Sequence, residues 1–279
     1  MNFPQFWARG RSGDFFAWRW SSRSLEEAQS LANQAALALA ERFRTGDRPT
    51  QGGHYYPNRP FREQILQEHK NGAGEVSAVV TRNSYGCLVL NTARVMFVDI
   101  DLPEAPVKRA GFLQRLFGKP PLMTPTVTPE AALATVEEWT RKNAAWGWRI
   151  YRTRAGLRLL ATQGLMDADS KATAEVFEAL GADPLYRKLC VAQKCFRARL
   201  TPKPWRCGVN TKPPRWPWLE PKFEKRFEKW EANYRSFSST WATCEFVRGI
   251  GNPTVHPEVE AVIKLHDVAS GVGTGSKLA

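Results

Sequence analysis

Two aspartates separated by one residue close a strongly apolar segment of this sequence. The segment begins at Val95 and ends in Asp99 and Asp101. Because side chains alternate along a strand, a strand here places both carboxylates on one face. Neighbouring carboxylates raise one another's pKa unless a cation lies between them, and Mg²⁺ and Mn²⁺ prefer oxygen ligands. The pair predicts a divalent-metal site suited to phosphoryl or nucleotidyl transfer; the alternative is a strand that ends in solvated acids.

Clusters of basic residues elsewhere carry charge that can bind phosphate. They fall in the loop 81–86, in the turn before Gly156 and in the segment 196–206. Arginine is favoured for this role because its planar fork matches phosphate oxygens. The alternative is a set of solvated arginines on ordinary hairpins and sheet edges. The predicted phosphate-binding residues are Arg82, Asn83, Arg152, Arg154, Arg158, Arg197, Arg199 and Lys203.

The overall charge favours a polyanionic partner. The 279 residues include 40 Lys and Arg against 27 Asp and Glu, for a net charge of +13. Nucleic acid is the first expectation and an anionic membrane surface the second. The chain has no apolar run long enough to cross a membrane and no signal-peptide core near Met1, so we expect a cytoplasmic protein. The five irregularly spaced cysteines predict reduced thiols rather than a disulfide framework.

The two aspartates are predicted to stand on a hairpin. Cys87–Leu90 and Val95–Ile100 are apolar, and the polar segment 91–94 joins them. The second run is apolar on both alternating faces, which predicts a central strand covered on both sides.

The remaining predicted elements alternate short strands and amphipathic helices. Ser24 and Thr128 are typical N-caps, and the turn-rich loop 46–60 contains His54, which we interpret as solvated. In chain order, the predicted elements other than the central hairpin are a hairpin within 1–20, helices over 24–46 and 61–70, a strand over 76–80, a helix over 128–143, a hairpin of 148–153 and 157–162, a helix over 170–180, a strand over 196–200, a helix over 222–234, a strand or short helix over 241–247, and a helix over 256–267.

These elements predict an α/β (α+β) fold. The sheet is expected to be mixed or antiparallel, built from hairpins with flanking helices, and an RRM-like catalytic sheet is one form it could take. We assign residues 1–210 to the main domain, with a basic insertion at about 103–127. Residues 211–270 are predicted to form a helical C-terminal extension, and the Gly- and Ser-rich tail 271–279 is predicted to be disordered.

The order of these parts resembles the catalytic core of the archaeo-eukaryotic primase and primase-polymerase family. The resemblance covers about residues 76–210: a strand ending in Asp-x-Asp, a helix, then a strand-turn-strand with a basic turn. It implies that Asp99 and Asp101 hold divalent metals, Mg²⁺ or Mn²⁺. Thr153–Leu160 matches the next family motif in placement and in Gly156, but Arg158 stands at the position of a nucleotide-contacting His.

A third metal-binding acid is expected from the family pattern. Asp167, Asp169 and Asp183 are the candidates. The leading hypothesis is a nucleotidyltransferase that acts on nucleoside triphosphates and nucleic acid by in-line attack of a 3′ hydroxyl on an α-phosphate. The alternatives are a non-catalytic nucleic-acid-binding protein and a metal-dependent nuclease or nucleotide hydrolase. A third carboxylate beside Asp99 and Asp101 would favour catalysis.

Overall fold

The structure is a computed structural model, and it describes residues 1–47, 60–102 and 128–279. The predictions for His54 and for the basic insertion at 103–127 lie outside the described residues. The fold is α+β, with two four-stranded antiparallel sheets and flanking helices, as predicted. In the described ranges, no helix combines the length and the apolar composition needed to cross a membrane.

The N-terminal unit is the predicted hairpin and helix. Strands β1 (Phe6–Ser12) and β2 (Phe15–Ser21) pair antiparallel and pack on helix α1 (Leu25–Arg44). The Ser24 hydroxyl accepts a hydrogen bond from the Glu27 N–H at 3.2 Å, which caps the helix. The contact is close because small residues line it: a Cβ on Gly10 would collide with the Ala32 carbonyl.

The first large sheet has the order β3-β4-β5-β9. Its strands are β3 (Gln64–Lys70), β4 (Val76–Arg82), β5 (Leu88–Thr92) and β9 (Phe196–Arg199). The predicted helix over 61–70 is wrong, because this segment forms β3. Its composition suits a helix, but pairing with β4 decides its structure, and tertiary context commonly overrides such propensities.

The second large sheet has the order β6-β8-β7-β11. Its strands are β6 (Phe97–Asp101), β7 (Gly147–Thr153), β8 (Gly156–Ala161) and β11 (Cys244–Gly251). Helix α2 (Pro129–Lys142) begins after its N-cap Thr128 and precedes the β7–β8 hairpin, so both predictions are confirmed.

The predicted hairpin of β5 and β6 is wrong, because these strands belong to different sheets. Asn91 was assigned to a turn, yet it is fully buried in β5. Its amide nitrogen donates to the Val79 carbonyl at 3.0 Å and to the Thr81 hydroxyl at 2.9 Å, which fixes β5 against β4. The chain then crosses to the second sheet before β6 begins.

Strand β6 lies at a sheet edge rather than in the centre, although it is buried as predicted. Helices α3 (Lys171–Ala179) and α4 (Pro184–Gln193) follow the β7–β8 hairpin. The Asp183 N–H donates to the Asp99 carbonyl at 2.9 Å, and the Tyr186 hydroxyl donates to the Phe97 carbonyl at 3.1 Å. The start of α4 therefore covers the edge of β6, which explains why its sequence resembles that of a central strand.

The C-terminal part belongs to the main core rather than to a separate helical extension. Helix α5 (Pro221–Ser238) is followed by β10 (Trp241–Ala242), β11, α6 (Pro257–Ser270) and β12 (Lys277–Leu278). Strand β11 pairs with β7, and Val259 and Val262 of α6 are buried in the main core. The tail prediction is also wrong, since β12 pairs with β10. All five cysteines are buried free thiols, as predicted.

Candidate functional site

Asp99 is held in an ion pair with a buried arginine. Asp99 on β6 lies directly opposite Arg158 on β8. The Arg158 Nε donates to Asp99 Oδ1 at 2.8 Å, and Nη2 donates to Oδ2 at 3.3 Å. The Arg158 side chain is 4% exposed and that of Asp99 is 27% exposed. Burial alone would lower the pKa of Arg158, but the Asp99 carboxylate outweighs it and the pKa is raised. Arg158 therefore stays cationic beside Asp99.

The Arg199 carbonyl and His266 also hold the Arg158 side chain. Its Nη1 donates to the Arg199 carbonyl at 3.0 Å and lies 3.4 Å from His266 Nε2. His266 is fully buried on α6, which was predicted as a helix but not as part of a site. These contacts orient the guanidinium toward Asp99.

A further carboxylate completes this buried network. Asp267 Oδ1 lies 3.0 Å from His266 Nδ1 and accepts from the Tyr151 hydroxyl at 2.7 Å. Burial lowers the pKa of His266, but hydrogen bonds with Asp267 and Cys244 outweigh it and raise the pKa overall. The network thus links α6 through Arg158 to the end of β6. No motif in the sequence indicated it, because its members meet only through tertiary contacts.

Asp101 has a raised pKa, and neighbours of both charges act on it. The residue is exposed, yet partial loss of water around its carboxylate is the largest cause that raises its pKa, and the charges of Asp99 and Asp183 raise it further. Lys203 and Arg199 act in the opposite direction but do not cancel the effect. The fold therefore favours the protonated form of Asp101 more than water does for a free Asp side chain.

Of the three candidate third acids, Asp183 has its backbone beside Asp99, but within the described residues it does not form a metal-binding group with Asp99 and Asp101. It caps α4, where its Oδ1 accepts from the Tyr186 N–H at 2.6 Å. The other two candidates lie in exposed ion pairs elsewhere: Asp167 with Arg94 at 3.2 Å and Asp169 with Lys194 at 3.3 Å. Of the three, only Asp183 is among the charges that act on Asp101.

Basic residues at the end of β9 and after it lie within electrostatic reach of the acids. Burial lowers the pKa of Lys203, and the positive charges of Arg199 and Arg206 lower it further, whereas Asp101 opposes the shift. Lys203 is thus within electrostatic reach of Arg199, Arg206 and Asp101, and Arg199 also acts on Asp101. The end of β6 therefore carries acids and cations side by side, an arrangement that suits a metal-bound polyphosphate.

Arg197 does not join this group. Its Nη2 donates to both carboxylate oxygens of Glu63, at 2.7 and 2.9 Å. Both side chains are less than a tenth exposed, at 8% for Arg197 and 7% for Glu63. The prediction that Arg197 binds phosphate is corrected, because the buried pair is closed to a ligand.

Arg82 and Asn83 have structural partners as well. Arg82 pairs with Glu231 of α5 and donates to Gln64 Oε1 at 2.5 Å. The Asn83 side-chain oxygen Oδ1 accepts from the Tyr85 N–H at 2.9 Å, which closes the β4–β5 turn. The structure therefore gives both side chains a part in holding the turn and its contact with α5, and phosphate binding by them stays a prediction.

Arg152 and Arg154 remain exposed around the β7–β8 turn. The Ala155 carbonyl of this turn accepts from the Leu102 N–H at 2.8 Å, so the turn lies beside the end of β6. Gly156 is required there, because a Cβ would collide with the Ile100 carbonyl. Phosphate binding by these two arginines stays a prediction.

No protein-family model, curated protein or solved structure matches the chain. The primase-polymerase resemblance therefore stays a prediction, and the chemistry of the site has to be argued from its own residues.

A cation at these acids would need further ligands from water or a substrate. Within the described residues, no three His, Cys, Asp or Glu side chains form a group able to hold a metal on their own. Both oxygens of Asp99 already accept from Arg158, which leaves Asp101 as the more available ligand. Mg²⁺ in nucleotide sites commonly takes one or two carboxylates, several waters and the phosphates of the substrate. Asp99 and Asp101 suit that kind of site.

Proposed function

We propose that the protein is a metal-dependent nucleotidyltransferase of the primase-polymerase type, acting on nucleoside triphosphates and nucleic acid. The observation that carries the proposal is the placement of Asp99 and Asp101 at the end of β6, where the Asp99 carboxylate stays 27% exposed in its pair with Arg158. Lys203 and Arg199 lie within electrostatic reach of Asp101. One end of β6 thus offers negative charge to a cation and positive charge to phosphates.

Five residues of the site would have roles in this reaction. Asp101 and Asp99 would hold Mg²⁺ or Mn²⁺, which when bound neutralises charge on the reacting phosphate. Lys203 and Arg199 would hold the β- and γ-phosphates. The 3′ hydroxyl oxygen bonds to the α-phosphorus while the bond to the bridging oxygen breaks. Pyrophosphate leaves with that electron pair, and the hydroxyl proton passes to water. Arg158 is a positioning residue, since it acts through Asp99.

A non-catalytic nucleic-acid-binding protein is the second candidate. The bidentate bond from Arg158 favours it, because a cation at Asp99 must share oxygens that are already engaged. Under this alternative, the cations near Asp101 contact phosphates and the acids only shape the surface.

Nucleotide incorporation on primed and unprimed templates with Mn²⁺ tests the proposal. The variant Asp99→Ala/Asp101→Ala should lose activity by about 100-fold or more, the scale of removing a key electrostatic group from an active site. The matched control is Asp167→Asn/Asp169→Asn, which removes two acids in exposed ion pairs and should leave the rate unchanged. Incorporation that survives the Asp99/Asp101 substitution would overturn the metal mechanism.

Binding measurements separate the two candidates. If the wild-type protein incorporates no nucleotide but binds nucleic acid with an affinity that falls steeply as salt rises, the non-catalytic function is the correct one. Binding that is absent or insensitive to salt would contradict both.

A further inference from the structure

Two exposed aromatic rings lie beside the cations of the candidate site. Tyr85 is 38% exposed and Trp205 is 48% exposed. Their ring centroids are 5.2 Å apart at an interplanar angle of 79°. Isolated apolar residues are normal on protein surfaces, but here two large rings touch each other and remain open to solvent.

The ring pair adjoins the basic group. Trp205 stands between Lys203 and Arg206 in the chain, and Lys203 Nζ lies 5.6 Å from the centroid of the Trp205 ring. Lys203 is in turn within electrostatic reach of Asp101. The surface therefore runs from exposed aromatic rings, across cations, to the acids at the end of β6.

The loops that carry the rings are fixed to each other. The Cys87 thiol donates to the Pro202 carbonyl at 3.2 Å, and the Leu88 N–H donates to the Thr201 hydroxyl at 2.9 Å. The Asn83 side chain closes the turn that holds Tyr85. A short 3-10 helix, Pro204–Arg206, holds Trp205. The rings are thus positioned before any ligand binds, which lowers the entropic cost of binding.

We infer that Tyr85 and Trp205 form a stacking platform for bases of a single-stranded nucleic acid whose backbone crosses Lys203 and Arg206. Unpaired bases offer flat faces to aromatic rings, and cations beside the rings bind the phosphates between them. A duplex does not suit the platform, because its bases are already stacked. The inference rests on the proposed function, whose nucleic-acid substrate it specifies as an unpaired strand.

Fluorescence anisotropy with a labelled oligothymidylate tests the platform. Trp205→Ala should weaken binding by about 10-fold, the scale of losing one stacked base, and Trp205→Phe should restore most of it. Tyr85→Ala should weaken binding in the same direction. A duplex of the same length should bind the wild type and Trp205→Ala equally.

The matched control is Phe246→Ala. Phe246 is also exposed, at 38%, and the guanidinium carbon of Arg149 lies 4.0 Å from its ring centroid. Phe246 stands on β11 in the second large sheet, whereas Tyr85 follows β4 of the first. Phe246→Ala should leave oligothymidylate binding unchanged. An effect of Phe246→Ala as large as that of Trp205→Ala would contradict the platform, as would equal losses for single strand and duplex.

The outcome is independent of the test of catalysis. Loss of incorporation in Asp99→Ala/Asp101→Ala together with unchanged single-strand binding in Trp205→Ala would overturn the platform and leave the proposed function standing. Trp205-dependent binding by a wild-type protein that incorporates no nucleotide would support the platform and overturn the proposed function.

Discussion

Arg158 and Arg197 make nearly the same contact in two different sheets. Each is buried on a strand, and each donates two hydrogen bonds to one carboxylate. The carboxylate of Glu63 is 7% exposed and also accepts from the Thr81 hydroxyl at 2.6 Å, so that pair is enclosed. The carboxylate of Asp99 is 27% exposed and stands two residues from Asp101. The comparison shows that the carboxylate's surroundings, rather than the ion pair itself, distinguish a structural contact from a candidate site.

Breaking the enclosed pair should have the largest effect on stability. Arg197→Met leaves the Glu63 carboxylate buried without its partner, which costs about 3–5 kcal/mol of unfolding free energy. Denaturant unfolding measures the loss. Arg197→Met/Glu63→Met should recover most of it, because an apolar pair can replace a buried ion pair. A double variant no more stable than the single one would contradict an enclosed structural role.

Breaking the ion pair of Arg158 and Asp99 should reduce stability less, and activity more, than breaking the enclosed pair of Arg197 and Glu63. Arg158→Met leaves Asp99 in contact with solvent, so the loss should be about 1.5–3 kcal/mol, the scale of hydrogen bonds to a charged group. The turnover number for incorporation should fall while oligothymidylate binding is retained, since Arg158 orients Asp99 and its side chain is only 4% exposed. If Arg158→Met matches Arg197→Met in stability and retains full turnover, the two pairs are equivalent and the distinction fails.

The network behind Arg158 should make stability depend on pH. His266 faces Arg158, Cys244 and Asp267, and its pKa is raised in the fold. A raised pKa contributes stability that is complete below the ordinary His pKa of about 6.5 and is lost as pH rises through the folded value. The difference in unfolding free energy between wild type and His266→Gln should therefore shrink from acid to alkaline pH. A constant difference, measured by urea unfolding across that range, would exclude this role.

The smallest effect is expected at Asp101. Its raised pKa means that the folded state binds its proton more tightly than the unfolded state, so ionised Asp101 opposes folding above the ordinary Asp pKa of about 3.9. Asp101→Asn should stabilise the protein at neutral pH, by about 0.5 kcal/mol or less as is usual at exposed positions. The gain should vanish as pH falls below the ordinary value. Thermal unfolding at neutral and acid pH measures it, and destabilisation at neutral pH would be the contrary result.

Local patterns predicted much of the fold. The N-cap at Ser24 and the hairpin turn before Gly156 both rest on neighbours in sequence, and both are confirmed. The strand pairing of β5 was missed because Asn91 resembles a turn residue until its buried partners in β4 are known. The segment 61–70 was missed for the same reason, since its partner strand decides its conformation.

The candidate site was predicted in part. Alternation along one strand placed Asp99 and Asp101 together, and the basic composition of the segment 196–206 was recognised. Which arginine reaches the acids depends on strand register and burial, so Arg197 and Arg199 could not be told apart in the sequence. Arg158 was predicted to bind phosphate, and only the register of β6 against β8 shows that it pairs with Asp99.

Equilibrium dialysis of Mn²⁺ with a non-hydrolysable nucleoside triphosphate tests the central claim most directly. The wild-type protein should retain metal and nucleotide together, and Asp101→Asn should weaken that retention by about 10-fold or more, since even residues that only support metal ligands commonly contribute that much. Asp169→Asn, which removes an exposed acid outside the site, should bind like the wild type. Equal retention by wild type and Asp101→Asn would show that the end of β6 is not a metal-polyphosphate site.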